Sequence, residues 1–240
     1  MRFFYSAHLQ HSFPERVTAV LSLDAVNPVA DVAAAAAPFL TRATARLAQE
    51  PESQFPEIQA WRRAYAKMGH KPTQIRCASE ALLRRFRKEK SLPSIHPLID
   101  LCNAASLSFA IPIAVFDRDR ISGDMTVREA TGSETYETFA GDVETPDPGE
   151  IIFADDEGTA HARRWANRQS KRSAVSPASR RALIVAEALH ASAPTDITAL
   201  AHALGAALTA SFAQAPAISL LLSPGEIYDP ARRGGVTNVD

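Results

Sequence analysis

The 240-residue sequence contains only two cysteines, Cys77 and Cys102. That is too few for a disulfide framework, and their spacing does not suit a metal site. Such usage fits a reducing compartment, so a cytoplasmic location is expected. No run of about 18 uninterrupted apolar residues occurs, which excludes a membrane-spanning helix from the expectation. The opening Met1-Arg2-Phe3-Phe4-Tyr5-Ser6-Ala7-His8 turns polar too early for a secretion signal. Also missing are a phosphate-cradling glycine loop, a dinucleotide fingerprint and a nucleophile-elbow serine motif. The seven histidines are scattered along the chain, so no metal and no organic cofactor are expected. A net charge of −1 removes any whole-molecule attraction to polyanions. What is present is ordinary for a globular chain, 46% hydrophobic and 22% charged. A mainly disordered, collagenous or coiled-coil protein is thereby excluded.

The neutral total hides blocks of opposite sign. Between Trp61 and Lys90 stand ten cations, among them Arg62, Arg63, Lys67, Arg84, Arg85 and Arg87, against two acids, a local net charge of +8. Seven more cations and no acid lie between His161 and Arg181, Arg168 among them. Nine acids and no cation fill the interval from Glu134 to Glu157. Two readings follow. The basic runs form a face that meets phosphates, or they are solvated helix faces balanced by the acidic stretch.

Periodicity outlines the elements. Val17 to Ala25 has the β-branched content of a strand, Val29 to Ala48 reads as helix interrupted near Pro38, and Pro51 to Pro56 is a turn. Ile58, Trp61, Tyr65 and Met68 recur at helical spacing and Gly69 is placed to end the helix. Ser79 can cap a further helix whose apolar side is Leu82, Leu83 and Phe86. Ile95 to Phe109 reads as a buried helix. Ile113 to Phe116, Met125 to Arg128 and Glu150 to Ala154 follow as short strands, and Asp155 to Gly158 as a hairpin turn into Thr159 to Trp165. Arg181 to His190 is an apolar run, and Thr195 to Phe212 an amphipathic helix capped by Thr195 or Asp196. The expectation is one α+β domain over residues 1–222, packed mixed β-sheets with flanking helices, followed by a loosely ordered tail over 223–240.

Several polar residues stand in unexpected company. Asn103 lies on an otherwise apolar helix, where an unsatisfied amide costs a few kcal/mol; it either braces a loop or faces a cavity. Glu187 is a lone acid in Leu183-Ile184-Val185-Ala186-Glu187-Ala188-Leu189, either exposed at an element's end or buried with a partner and a raised pKa. Asn167, Arg168, Gln169 and Ser170 follow Trp165 either as a surface turn or as a pocket wall.

Four strings are more specific than their surroundings: Trp61-Arg62-Arg63-Ala64-Tyr65-Ala66-Lys67-Met68-Gly69-His70-Lys71-Pro72-Thr73, Leu98-Ile99-Asp100-Leu101-Cys102-Asn103-Ala104 continued by Ile111-Pro112-Ile113-Ala114-Val115-Phe116-Asp117, Gly149-Glu150-Ile151-Ile152-Phe153-Ala154-Asp155, and Arg164-Trp165-Ala166-Asn167-Arg168-Gln169-Ser170. In this order, over residues 10–200, the chain resembles the B3/B4 tRNA-binding and editing domain of the phenylalanyl-tRNA synthetase β subunit, and more closely its free-standing relatives. The resemblance implies an α+β fold around a pocket that admits the acceptor end of tRNA and hydrolyses the ester of a misattached, aromatic or related, amino acid. It places Asn103, Asn167, Gln169, Ser170 and Glu187 in that pocket and Asp100 as a brace on backbone amides. Arg62, Arg63, Lys67, Arg84, Arg85, Arg87 and Arg168 would meet tRNA phosphates. The alternative is a non-catalytic module that binds RNA or an amino acid without hydrolysis. Against the family pattern, Cys102 replaces a threonine, Ala114 a histidine, and larger polar residues replace paired glycines beside the fourth string, so the pocket is remodelled.

Overall fold

The computed structural model describes residues 1–231 and the backbone of 236–238. In chain order these form β1 (Phe3–Tyr5), α1 (Ala7–Ser12), β2 (Val17–Leu23), α2 (Ala33–Gln49), α3 (Pro56–Lys67), α4 (Ala78–Glu89), α5 (Pro97–Phe109), β3 (Ile113–Asp117) and β4 (Met125–Glu129). There follow β5 (Tyr136–Glu137), β6 (Val143–Glu144), β7 (Ile151–Asp155), β8 (Ala160–Arg163), β9 (Arg168–Gln169), β10 (Ala182–Ala188), α6 (Ala193–Phe212), β11 (Ala217–Leu221), β12 (Glu226–Tyr228) and β13 (Val236–Asn238).

A four-stranded antiparallel sheet runs β11-β2-β10-β3, and a seven-stranded sheet runs β13-β12-β1-β4-β7-β8-β9. Among the named strands only β1 and β4 pair in parallel, and an isolated parallel bridge joins Thr135 to Thr159; β5 and β6 make a separate hairpin. The architecture is α+β with mixed sheets.

Strands β2 and β10 are buried along their whole length, which explains why their sequences read as continuous apolar runs rather than alternating ones. The two-residue period still divides β10 into two faces. Ala182, Ile184, Ala186 and Ala188 enter one core with α2, α5 and α6. Leu183 and Val185 enter a second core with Phe3, Tyr5, Met125, Val127 and Phe153 of the other sheet and with the apolar sides of α3 and α4. Period alone therefore puts Glu187, two residues beyond Val185, in the interior between the two sheets.

Several expectations are corrected. Pro38 does not interrupt α2: the helix continues through it as its sixth residue, exposed to solvent, at the cost of one intrahelical bond and of crowding against the carbonyl four residues earlier. Ser79 does not cap α4; Cys77 holds that position and the buried Ser79 hydroxyl lies 3.3 Å from its Sγ. Ser192, rather than Thr195 or Asp196, precedes α6, and Asp196 instead bonds Ser192 and His190. The stretch after residue 222, expected to be loose, supplies β12, whose Tyr228 is buried, and β13 to the seven-stranded sheet. Residues 232–235 and 239–240 of that stretch lie outside the described residues.

Candidate functional site

Between the two sheets, under α4, lies a cavity of about 400 Å³. Its walls carry Asn103 from α5, Ala114 from β3, Glu187 from β10, Trp165 and Asn167 from the turn after β8, and Arg168 and Gln169 from β9, with Leu82 and Arg85 from α4 above. Four of the five expected pocket residues are thus brought together.

Ser170 is the exception. It is fully buried away from the cavity, its hydroxyl donating to the Glu137 carbonyl at 2.9 Å and accepting from the Arg172 N–H at 3.1 Å. The residue starts a turn rather than lining the site, because side chains on either side of an extended step point in opposite directions.

Glu187 forms the polar floor. Its Oε1 accepts from the Tyr5 hydroxyl at 2.6 Å and from the Trp165 indole N–H at 2.8 Å, leaving Oε2 as the oxygen available to the cavity. Arg16 Nη1 donates to Thr18 Oγ1 at 2.7 Å, and Thr18 Oγ1 lies 2.8 Å from the Tyr5 hydroxyl oxygen. A guanidinium cannot accept, so Thr18 passes its own proton to Tyr5, and Tyr5 donates onward to Glu187. The relay is completed by the Arg16 guanidinium stacked 3.4 Å over the Tyr5 ring. Burial pushes the Glu187 carboxyl above the usual carboxylate range; the bonds from Tyr5 and Trp165 and the charge of Arg16 oppose this without reversing it.

Trp165 has φ 55° and Arg164 φ 49°, two successive non-glycine residues in left-handed conformation. The indole holds this turn in place, edge-on to Phe13 at 4.9 Å and to Trp61 at 5.0 Å. Ala78 N–H donates to the Ala166 carbonyl at 2.7 Å, and Asn167 Nδ2 to the Arg76 carbonyl at 2.7 Å, stitching the turn to the start of α4. Gln169 Nε2 donates to the Val115 carbonyl at 2.5 Å. With one N–H of each amide engaged, Asn167 and Gln169 keep a second N–H as donor and their side-chain oxygens as acceptors. The Asn103 amide has no partner among the described residues, so this residue faces space rather than bracing a loop. The brace is Asp100, which accepts from Ile95 N–H at 2.9 Å and from the Ser94 hydroxyl at 2.6 Å.

Among the described residues only the second basic run pairs with the acidic stretch; the first finds its partners in Glu52, Glu80 and Glu89. The buried Glu80 carboxylate holds Arg62 at 2.6 Å and Arg76 at 3.4 Å, and the buried Glu52 holds Arg87 at 2.9 Å and Arg84 at 3.5 Å. Lys67 donates to the Ser12 carbonyl over the Phe13 ring. Arg163 binds Glu150 at 2.7 Å and Glu144 at 2.5 Å; Arg168 reaches Glu144 at 3.4 Å and lies over the Tyr136 ring. Arg62, Lys67, Arg84 and Arg87, expected at phosphates, each have a partner within the chain, and of these Lys67, Arg84 and Arg87 stay exposed. Arg85 is paired only with exposed Glu89 at 2.9 Å and, like Arg168, borders the cavity; Arg63 is exposed without a partner among the described residues.

A serine, a histidine and an aspartate do converge elsewhere: His161 Nδ1 lies 2.9 Å from Ser173 Oγ, and Nε2 3.1 Å from Asp155 Oδ2. Ser173 and His161 are fully buried and neither lines the cavity. Asp155 also accepts N–H bonds from Ser122, Glu157 and Thr159. The cluster closes the hairpin expected at Asp155 to Gly158 and has no access to a substrate. Among the described residues no group of three or more His, Cys, Asp or Glu is placed to hold a metal ion, and no helix is long and apolar enough to cross a membrane.

Tyr5 and Arg16 were not singled out by sequence. A three-residue strand such as β1 gives too short a period to register, and only its pairing with β4 brings Tyr5 under Glu187.

Comparison with known proteins adds the family. The model of the B3/4 domain matches residues 60–212. Curated relatives include the phenylalanine–tRNA ligase beta subunit of Nitrobacter winogradskyi, 37% identical over 67 residues, covering 28% of this chain and 8% of that protein. The corresponding subunit of Mycobacterium leprae is 36% identical over 78 residues, covering 32% and 9%. These matches span less than a tenth of the relatives' length. Among solved structures, an N-terminal fragment of the phenylalanyl-tRNA synthetase beta subunit from Pyrococcus horikoshii aligns with TM-score 0.46 and 11% identity, over 90% of this chain and 49% of that one.

Proposed function

The chain belongs to the B3/4 domain family, and from that premise we propose that it binds the acceptor end of tRNA and hydrolyses the ester of a misattached amino acid. One observation carries this reading: a 400 Å³ cavity collects Asn103, Asn167, Gln169 and Glu187, with Arg85 and Arg168 at its border. The free oxygens of Asn167, Gln169 and Glu187 are acceptors, suited to an α-ammonium group, which has three donors and no acceptor. The unpartnered Asn103 amide supplies the complementary donor, which can bind the ester carbonyl oxygen as it becomes an oxyanion. Leu82, Ala114, Phe153 and Ala162 give the amino-acid side chain an apolar lining. An aminoacyl ester is already activated, so positioning a water against it and stabilising the oxyanion supply much of the rate without a basic side chain. Arg85 and Arg168 suit the phosphates near the ester.

Incubation with a panel of mischarged tRNAs tests the reading. At least one pair is expected to lose its ester above the buffer rate; a panel without any acceleration overturns it. A second reading, binding without turnover, is favoured by the lack of histidine, serine or cysteine among the residues lining the cavity. It predicts salt-sensitive tRNA binding with the ester intact.

A further inference from the structure

A second cavity, of about 490 Å³, lies between the start of α2 and the α4–α5 connection. Asn103 lines both this cavity and the one containing Glu187. Its character is divided. Val32, Leu40, Phe86 and Leu92 give one apolar side, while Asp31, Lys90 and Asp100 give a polar one. Asp100 precedes Asn103 by three residues on α5, so both belong to one helical face. Asp31 caps the Ala33 N–H with Oδ1 at 2.9 Å, and its second oxygen has no partner among the described residues. Lys90, the left-handed residue that ends α4, is exposed.

We propose that this second cavity receives the 3′-terminal adenosine monophosphate unit of the substrate, with Asn103 at the junction where the ester bond lies. The apolar side suits the flat base, the carboxylate of Asp31 suits ribose hydroxyls as donors, and Lys90 suits the 5′-phosphate. Size agrees, since a pocket of a few hundred Å³ holds a ligand of this class. The inference rests on reading the first cavity as an aminoacyl-ester pocket, because only an ester links an amino acid to a ribose at that junction. Asn103, which lines both spaces and whose amide has no partner among the described residues, is the observation that joins them.

The test uses AMP as the probe, followed by amide chemical shifts of the full chain. Saturable shifts at Ala33, Lys90, Leu92 and Asp100 are expected. Ala33→Trp places an indole from an exposed helix position into the cavity, and Ser91→Trp does so from the opposite wall. Each should raise the AMP dissociation constant about tenfold or more and raise KM for mischarged tRNA, while a CD melt confirms the fold. Inorganic phosphate producing the same shifts overturns the nucleoside assignment, as does AMP that shifts none of these residues. Deacylation that proceeds with AMP silent here, and with both tryptophan variants at full rate, removes this inference and leaves the hydrolase standing. AMP binding here by a protein that deacylates nothing keeps the nucleotide chamber and removes the hydrolase.

Discussion

The indole N–H of Trp165 and the carboxylate of Glu187, 22 residues apart in sequence, meet at 2.8 Å in the interior between the two sheets. The bond ties a turn in left-handed conformation to a central strand, so the shape of the cavity and the state of its acid are set together.

Glu187 predicts a specific pH dependence. Burial raises its carboxyl in the folded chain, so the native state holds this proton more tightly than the unfolded one. The stability it contributes is complete below the unfolded carboxyl pKa, about 4.3, and is lost as pH rises through the folded value. Glu187→Gln should therefore gain in Tm relative to the parent as pH climbs from about 4 toward 8. Its amide would present a donor where Oε2 accepts, so KM for mischarged tRNA should rise about tenfold. A Tm difference independent of pH would contradict the burial argument.

Neighbouring arginines should separate. Arg62→Ala leaves Glu80 buried with Arg76 alone, and should cost about 1–3 kcal/mol. Arg63→Ala should leave Tm within the scatter of surface changes, about 0.5 kcal/mol. It should also reduce the slope of log affinity for tRNA against log salt by about one. Equal stability losses in the two variants would refute the assignment.

Ser173→Ala removes one end of the Ser173–His161–Asp155 chain. A cost of about 1 kcal/mol with an unchanged deacylation rate is expected; a rate fall of a hundredfold at unchanged Tm would make the cluster catalytic.

Burial pushes the Cys77 thiol up to about 11 and the Cys102 thiol higher still. Neither should react with a thiol reagent at pH 8 in the native protein, and both should react at the rate of unfolding when denaturant is added. A native thiol modified within seconds would show that its surroundings open.

Legibility in the sequence followed local physics. The run at 17–25 became Val17–Leu23 and the buried helix at 95–109 became Pro97–Phe109, because composition and period both depend on neighbours along the chain. Asn103 and Glu187 announced themselves as polar groups among apolar ones. The charge blocks left two readings open, since a count along the chain does not show which cations Glu52 and Glu80 hold. Ser170 misled because its neighbours face the cavity and it does not. Tyr5 was silent: three residues carry no period, and its role comes from Thr18 and Glu187, which tertiary pairing delivers.

The relay from Arg16 through Thr18 and Tyr5 runs in one direction, since its first member has no lone pair to receive a proton. It cannot serve as a drain to bulk solvent from behind. Whatever acid–base traffic reaches Glu187 must enter and leave through the mouth of the cavity, so a bound ligand that plugs the opening also seals the protonation state of the floor beneath it.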